Sequence, residues 1–289
     1  MTVAEALRAG AARLSAMTDT ARLDAEVLMA HALGCSRSDV LLRRMGDDAP
    51  AAFAALVERR LRAEPVAYIV GRQEFYGLDF AVGPDVLIPR GDSETLIEAA
   101  RAALPVDAAP RVLDLGTGSG ALLLAALSLW PSATGLGLER SPGARAFAHR
   151  NAVSLGLDAR VEIRAGDWTA PGWTDGLGRF DLILANPPYI ETGQPLAPSV
   201  RDFEPEAALF AGEDGLDDYR RLVPQVPALL APGGLALFEI GWTQGRAVMA
   251  LAERSGLCAQ LHHDLAGRER AVEMRLDRQI ALGNGVALA

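Results

Sequence analysis

The sequence predicts an α/β protein: a seven-stranded, mostly parallel sheet with covering helices, preceded by a small helical domain. Three observations carry this. From Arg111 onward, short apolar runs of strand length alternate with Ala/Leu-rich stretches, the pattern of a parallel sheet covered on both faces. Before residue 70, apolar residues recur at helical spacing. Between the two, glycine turns separate short extended pieces, which suggests a hairpin. With 289 residues, half of them hydrophobic, the chain can bury one sizeable core and a smaller one.

Thr2 and Glu5 have capping-box spacing ahead of the first helix. Thr18 to Thr20 offers caps for a second, which carries Leu23, Val27, Leu28 and His31 and stops before Gly34. A short third helix holds Val40 to Leu42. A fourth begins after Pro50, places Phe53, Leu56, Val57 and Leu61 on one face, and ends at Glu64-Pro65. Residues 1–70 are thus expected to be a helical domain, here assigned to substrate docking. Extended structure follows from Tyr68, with hairpin arms at 73–80 and 81–87 inside a linker at 71–90. In the main domain, 91–280, Asp92 or Ser93 can cap a helix through Leu96, Ile97 and Ala100. Strands are expected at 111–115, 134–139, 160–164, 180–185, 234–240, 257–263 and 270–276, with helices after each of the first five. The last two strands should form an antiparallel edge pair, and 281–289 a frayed tail.

A net charge of −9 argues against a broad grip on nucleic acid, because phosphate neutralisation needs clustered positive charge. All 28 basic residues are arginine, a compositional bias without functional content. No apolar run reaches membrane-spanning length, and Met1 to Gly10 lacks the order of a secretory signal. Cys35 and Cys258 form no ligand pattern and are expected to be buried, small apolar residues of a reduced, cytoplasmic protein. His31 is expected to pack against apolar neighbours rather than hold a metal, and no metal site is expected anywhere. The expected oligomeric state is a monomer.

The chemistry-bearing residues fall at expected strand ends. Val112 to Leu115 leads into Gly116-Thr117-Gly118-Ser119-Gly120 and then a helix, so backbone amides are open to a ligand's acceptor atoms. The G-x-G-x-G spacing differs from the G-x-G-x-x-G dinucleotide fingerprint. Glu139 ends the next strand, nineteen residues beyond Gly120, where it can accept bonds from both hydroxyls of a ribose; alternatively it is a surface carboxylate beside Arg140. After the third strand, Asp167 and Trp168 can contact an adenine, or can simply be a capped turn with a packed ring. The fourth strand ends abruptly in Asn186-Pro187-Pro188-Tyr189. The prolines cannot donate to a ladder and so fix a rigid corner at the strand's carboxyl end, the usual ligand side of an open α/β sheet.

Together these motifs resemble the class I S-adenosylmethionine-dependent methyltransferases, with a Rossmann-like fold, and within them the enzymes that methylate planar NH2 groups. Phe75-Tyr76-Gly77, Leu87-Ile88-Pro89-Arg90, Ser93-Glu94, Phe203-Glu204-Pro205, Ala208-Leu209, Asp214-Gly215-Leu216 and Asp264-Leu265-Ala266-Gly267 with Arg270 narrow the resemblance. The chain is similar over nearly its whole length to the peptide chain release factor N5-glutamine methyltransferases. That resemblance implies S-adenosyl-L-methionine as cofactor, held at Gly116 to Gly120, Glu139, Asp167, Trp168 and Asn186. It also implies a protein substrate, the Gly-Gly-Gln loop of release factors, with the glutamine held by Asn186, Pro187, Pro188 and Tyr189. Three positions depart from the family pattern: Gly91 stands for a proline, Ser93 for a threonine and Glu139 for an aspartate. Gly91 should loosen its loop; the other two keep hydroxyl and charge.

An adenine-N6 nucleic-acid methyltransferase is the chemical alternative, since an exocyclic NH2 presents the same two donors, although its base must be flipped out. A non-catalytic cofactor-binding protein is the other. In the favoured reading Asn186 and the Pro187 carbonyl accept the substrate's two N–H bonds, with Tyr189 against the amide plane.

Overall fold

The computed structural model describes residues 1–277; the tail expected at 281–289, and the end of the domain expected at 91–280, lie outside the described residues. The chain forms two compact units. One gathers Met1–Arg72, Val82–Pro84 and Leu196–Glu204, and the other Gln73–Ala81, Asp85–Pro195 and the chain from Pro205 onward.

The first unit is helical. Helix α1 (Val3–Leu14) opens with a complete capping box: the Glu5 amide donates to the Thr2 hydroxyl, and the Glu5 carboxylate accepts from the Thr2 amide at 2.8 Å. Helix α2 (Ala21–Leu33) stops at Gly34, whose φ of +62° suits glycine at a helix end. Thr20 does not cap it; its hydroxyl donates to Asp24 (2.8 Å), whose other oxygen accepts from Arg60 (2.7 Å). Helix α3 (Arg37–Asp39) runs into one π turn, Val40–Arg44, before α4 (Ala52–Leu61). Extended structure was expected from Tyr68, but Val66–Val70 is a helix, α5, because Ile69, Val66 and Val70 pack into the helical core beside Leu28, Met29, Phe53 and Val57. His31 is exposed, not packed, because it faces away from that core.

A hairpin follows, β1 (Arg72–Phe75) and β2 (Leu78–Ala81), which apart from Arg72 belongs to the second unit. Its arms are shorter and earlier than expected. Tyr76 and Gly77 both adopt positive φ (52° and 76°), forming a two-residue turn, and Glu94 accepts from the Tyr76 amide at 2.9 Å. Helix α6 (Glu94–Ala103) follows a 3-10 turn, Gly91–Ser93. Neither Asp92 nor Ser93 caps it as expected: no side-chain cap bond is present, and the Ser93 hydroxyl is drawn to Glu239.

The alternation then runs β3 (Arg111–Leu115), α7 (Ala121–Leu129), β4 (Thr134–Glu139), α8 (Pro142–Ser154), β5 (Val161–Ala165), β6 (Phe180–Ala185), α9 (Pro198–Arg201, within the helical unit), α10 (Asp217–Leu222), α11 (Val226–Leu229), β7 (Leu230–Glu239), α12 (Gly245–Arg254), β8 (Leu257–His263) and β9 (Glu269–Leu276). These seven strands lie in the order β5-β4-β3-β6-β7-β9-β8. The first five are parallel, while β9 is antiparallel to both its neighbours. No helix follows β5, contrary to expectation. Pro171 and the positive-φ residues Gly172, Gly176 and Gly178 turn that segment repeatedly. β7 also starts earlier, at Leu230, through a bulge opposite Phe180 and Leu182.

Alternate residues feed two cores. Val112, Leu182, Leu184, Leu235 and Leu237 meet α6 and α7 on one face; Leu113, Leu115, Ile183, Ala185 and Phe238 pack on the other with Tyr219 and Val248. The cysteines are not buried: Cys35 is half-buried and Cys258 exposed, the latter on edge strand β8. Among the described residues, no helix is long and apolar enough to cross a membrane.

Candidate active site

The strand order reverses beside β3, since the chain passes from β3 outward to β4 and β5, then returns to place β6 on the other flank. Such a reversal opens a crevice at the carboxyl ends of the strands. Register brings the predicted residues there together: Leu115 lies opposite Leu138 and Ala185, and Glu139 opposite Ala165. The glycine turn, Glu139, Asp167-Trp168 and Asn186 therefore follow four adjacent strand ends, spanning three strand spacings, or about 14 Å.

The turn is fixed from both sides. Gly116, Gly118 and Gly120 all have positive φ (75°, 55° and 87°). The amides of Gly116 and Thr117 donate to the Leu138 carbonyl (2.9 and 3.1 Å), tying the turn to β4. A Cβ on Gly116 would lie 2.9 Å from the Trp168 ring, so only glycine lets that ring close over the loop. The Trp168 Nε1 donates to Asp218 (2.8 Å), holding the indole. Asp167 Oδ1 accepts from both the amide and the hydroxyl of Thr169, closing a local turn, and these bonds hold its carboxyl below the usual range. At Gly118 the backbone is open: beyond its chain neighbours, only the Gly116 carbonyl oxygen, at 3.9 Å, comes within 4 Å of where a Cβ would stand, and α7 starts without a side-chain cap. Glu139 braces this loop: one oxygen accepts from Gly118 N (3.0 Å), the other from Ser141 N (2.8 Å).

Asp114, on β3 just before the glycine turn, has no role that its sequence position alone assigns. It shares a strand face with Val112, is 1% exposed, and accepts from the Thr117 hydroxyl on one oxygen while the other has no partner. Burial, with help from the nearby charge of Glu139, pushes its carboxyl up to about 7 against the opposing pull of the Thr117 bond. Two acids flanking an open glycine turn repel one another unless a cation lies between them. A positively charged ligand group in this cradle, such as a sulfonium or an ammonium, would relieve that repulsion, and a carboxylate would suit the uncapped start of α7.

At the end of β6, Asn186 is half-buried while Pro187 and Pro188 are buried. The corner is held beyond the prolines by Gln244, itself 9% exposed: its Nε2 donates to the carbonyls of Tyr189 (3.0 Å) and Gly215 (3.2 Å), and its Oε1 accepts from Gly241 N (3.0 Å). Asn186 Nδ2 donates to Ser93 Oγ (3.4 Å), and Ser93 Oγ donates to Glu239 (2.5 Å). Tyr189 donates its hydroxyl to the other oxygen of Glu239 (3.3 Å), and burial with that carboxylate pushes the phenol well above its ordinary range. Glu239 is 1% exposed; burial pushes it up to about 7 against the opposing pull of Ser93 and Arg270. Ser93, Glu239 and Gln244 had no site role in the sequence reading. The one available signal for Glu239 was its position as a carboxylate at a strand's carboxyl end. Among the described residues, no group of three His, Cys, Asp or Glu could hold a metal.

Two family models match: the PrmC N-terminal domain over residues 5–71 and a methyltransferase domain over 107–258. The chain is 46% identical to the release factor glutamine methyltransferase of Rhodospirillum rubrum, over 92% of this chain and 82% of that one. To the proteins of that name from Geobacter sulfurreducens and Cereibacter sphaeroides it is 45% and 44% identical, over 83% and 96% of this chain and 84% and 99% of theirs. A Rossmann-like sheet, a helical amino-terminal unit and these relatives converge: the chain belongs to the family of release factor glutamine methyltransferases.

Proposed function

We propose that this protein transfers the methyl group of S-adenosyl-L-methionine to the side-chain amide nitrogen of the glutamine in the Gly-Gly-Gln motif of peptide chain release factors. The observation that carries the reading is Asn186: a half-buried amide on a proline-fixed corner, with its NH2 group engaged by Ser93, one strand from the glycine turn. Gly116 to Gly120, Glu139, Asp167 and Trp168 would hold the cofactor, which supplies an electrophilic methyl on sulfur when bound.

An amide nitrogen is a poor nucleophile because its lone pair is delocalised, a conjugation gauged by the rotation barrier of roughly 18–20 kcal/mol. With Nδ2 turned to Ser93, Asn186 presents Oδ1 to the crevice. Oδ1 and the Pro187 carbonyl accept the substrate's two N–H bonds, orienting its nitrogen and favouring the positive charge that develops on it. Pro187 and Pro188 carry no N–H, so neither adds a donor at the corner. Tyr189 closes the corner, staying protonated and bonded to Glu239. No side-chain base is required, because the N-methylated amide cation is strongly acidic and loses its proton to water.

The helical unit is the docking surface for the protein substrate in this reading, because a pocket for one side chain supplies little area for choosing a whole partner. The setting is a cytoplasmic monomer that acts on protein, not on nucleic acid. The test is labelled methyl transfer from the cofactor to purified release factor, beside the same factor with its glutamine changed to alanine and beside adenine-containing DNA and RNA. Label in the intact factor alone supports the reading. Label in nucleic acid would select the exocyclic-amino alternative, and cofactor binding without transfer would select a non-catalytic role.

A further inference from the structure

Resting on that reading, we propose that Ser93 and Glu239 act as positioning residues that fix which way the Asn186 amide faces, so that its oxygen and not its NH2 group is presented to the substrate. Hydrogen-bond polarity sets the direction. An ionised carboxylate can only accept, and a serine hydroxyl has one proton to give. Glu239 is buried at 1% exposure, so leaving its oxygen Oε2 without the Ser93 proton is costly. The proton is thereby committed to Glu239, and Ser93 Oγ has only lone pairs to offer Asn186. Asn186 must answer with Nδ2, as the 3.4 Å contact shows, and its oxygen must face away. Were the amide reversed, two acceptors would meet at Ser93 and a donor would face the substrate's own N–H groups.

The surroundings of Glu239 support a fixed, ionisable anchor. The groups around it are Ser93 and Asp92 from the 3-10 turn, Tyr189 from the proline corner, and Arg270 from β9, while Tyr219 of α10 donates to its backbone carbonyl at 2.7 Å. Arg270 is in turn paired with Asp92 (3.0 Å) and Asp264 (3.3 Å). Protonated, Glu239 becomes a donor to Ser93, which is then free to donate to Asn186 Oδ1 and turn the amide the wrong way. Burial places that change at about 7.

The experiment measures single-turnover methyl transfer to release factor at saturating cofactor, with cofactor affinity by calorimetry and melting temperature for every variant. Glu239→Gln, nearly isosteric, lets the relay run backward, and its transfer rate should fall by about 100-fold, the scale of losing one preorganised contact. Ser93→Val should lose about 10-fold and Ser93→Thr should recover most of that, with cofactor affinity unchanged in all three. The wild-type rate should fall as pH drops through about 7, and the Glu239→Gln rate should be flat across that range. In an Asn186→Asp background, where both terminal atoms are oxygen, adding Glu239→Gln should cost far less than it does alone. Should Glu239→Gln melt early, the Ser93→Val and Ser93→Thr pair carries the test alone. Wild-type transfer with undiminished Glu239→Gln and Ser93→Val rates overturns the relay while leaving the function intact. Absence of transfer by the wild type overturns the functional reading, and the relay with it.

Discussion

Replacing Asn186 by alanine separates its chemical role from its structural one. Its side chain makes one long bond, 3.4 Å to Ser93, from a half-buried position, and Ser93 keeps its bond to Glu239 when that contact is lost. The expected cost to folding is therefore at the low end for a hydrogen bond, about 0.5 kcal/mol. The cost to the reaction is much larger. Loss of one preorganised acceptor from a partly dry site removes about 2.7–4 kcal/mol of transition-state stabilisation, or 100- to 1,000-fold in rate. Pro187 still offers its carbonyl, so residual transfer should remain measurable. The assay is rapid-quench single turnover with cofactor and release factor both saturating, alongside thermal melting. A near-wild-type rate in a normally folded Asn186→Ala would refute the acceptor role, and with it the account of how the amide is activated.

Glu139→Ala should weaken cofactor binding before it affects the chemical step, by about 10- to 100-fold for one charge-assisted bond; unchanged affinity by calorimetry would remove Glu139 from the cofactor site. Because a cation in the cradle favours ionised Asp114, whose apo carboxyl lies at about 7, cofactor binding should release a proton near and below that pH. Affinity should then fall as the solution is acidified and level off above it, and calorimetry in buffers of different ionisation enthalpy should lose the proton signal in Asp114→Asn. Trp130, 1% exposed with its Nε1 on the Pro105 carbonyl, should cost about 3–5 kcal/mol of stability when cut to alanine, and denaturant melts with an unchanged midpoint would contradict the packing assigned to it. Leu42, 80% exposed on the helical unit, should on conversion to aspartate reduce transfer to whole release factor more than to a short Gly-Gly-Gln peptide; equal losses would argue against docking there.

The sheet was legible because its signals are local: apolar runs such as Phe180 to Ala185 and the breaks after them mark strands whatever their neighbours do. The turn after Leu115 and the proline corner were legible for the same reason, since Gly116 to Gly120 and Pro187-Pro188 constrain their own backbones. Where tertiary packing overrode local preference, the sequence misled. Tyr68 to Val70 looked extended yet belongs to a helix that closes the helical core, and Ser93 looked like a helix cap yet gives its proton to Glu239, 146 residues away in the chain. Glu239, Gln244 and Asp218 were not readable as site supports, because their partners are chosen by a strand order that no single stretch encodes. The helix expected after β5 failed more simply: Pro171 and three positive-φ glycines spoke against it.

In this reading the crevice delivers a methyl group to one kind of nitrogen. Tandem mass spectrometry of release factor treated with this protein and cofactor tests it most directly. The expected result is a single added methyl on the side-chain nitrogen of the Gly-Gly-Gln glutamine, absent in the Asn186→Ala reaction. A methyl on any other atom of the factor, or none after full cofactor binding, would contradict it.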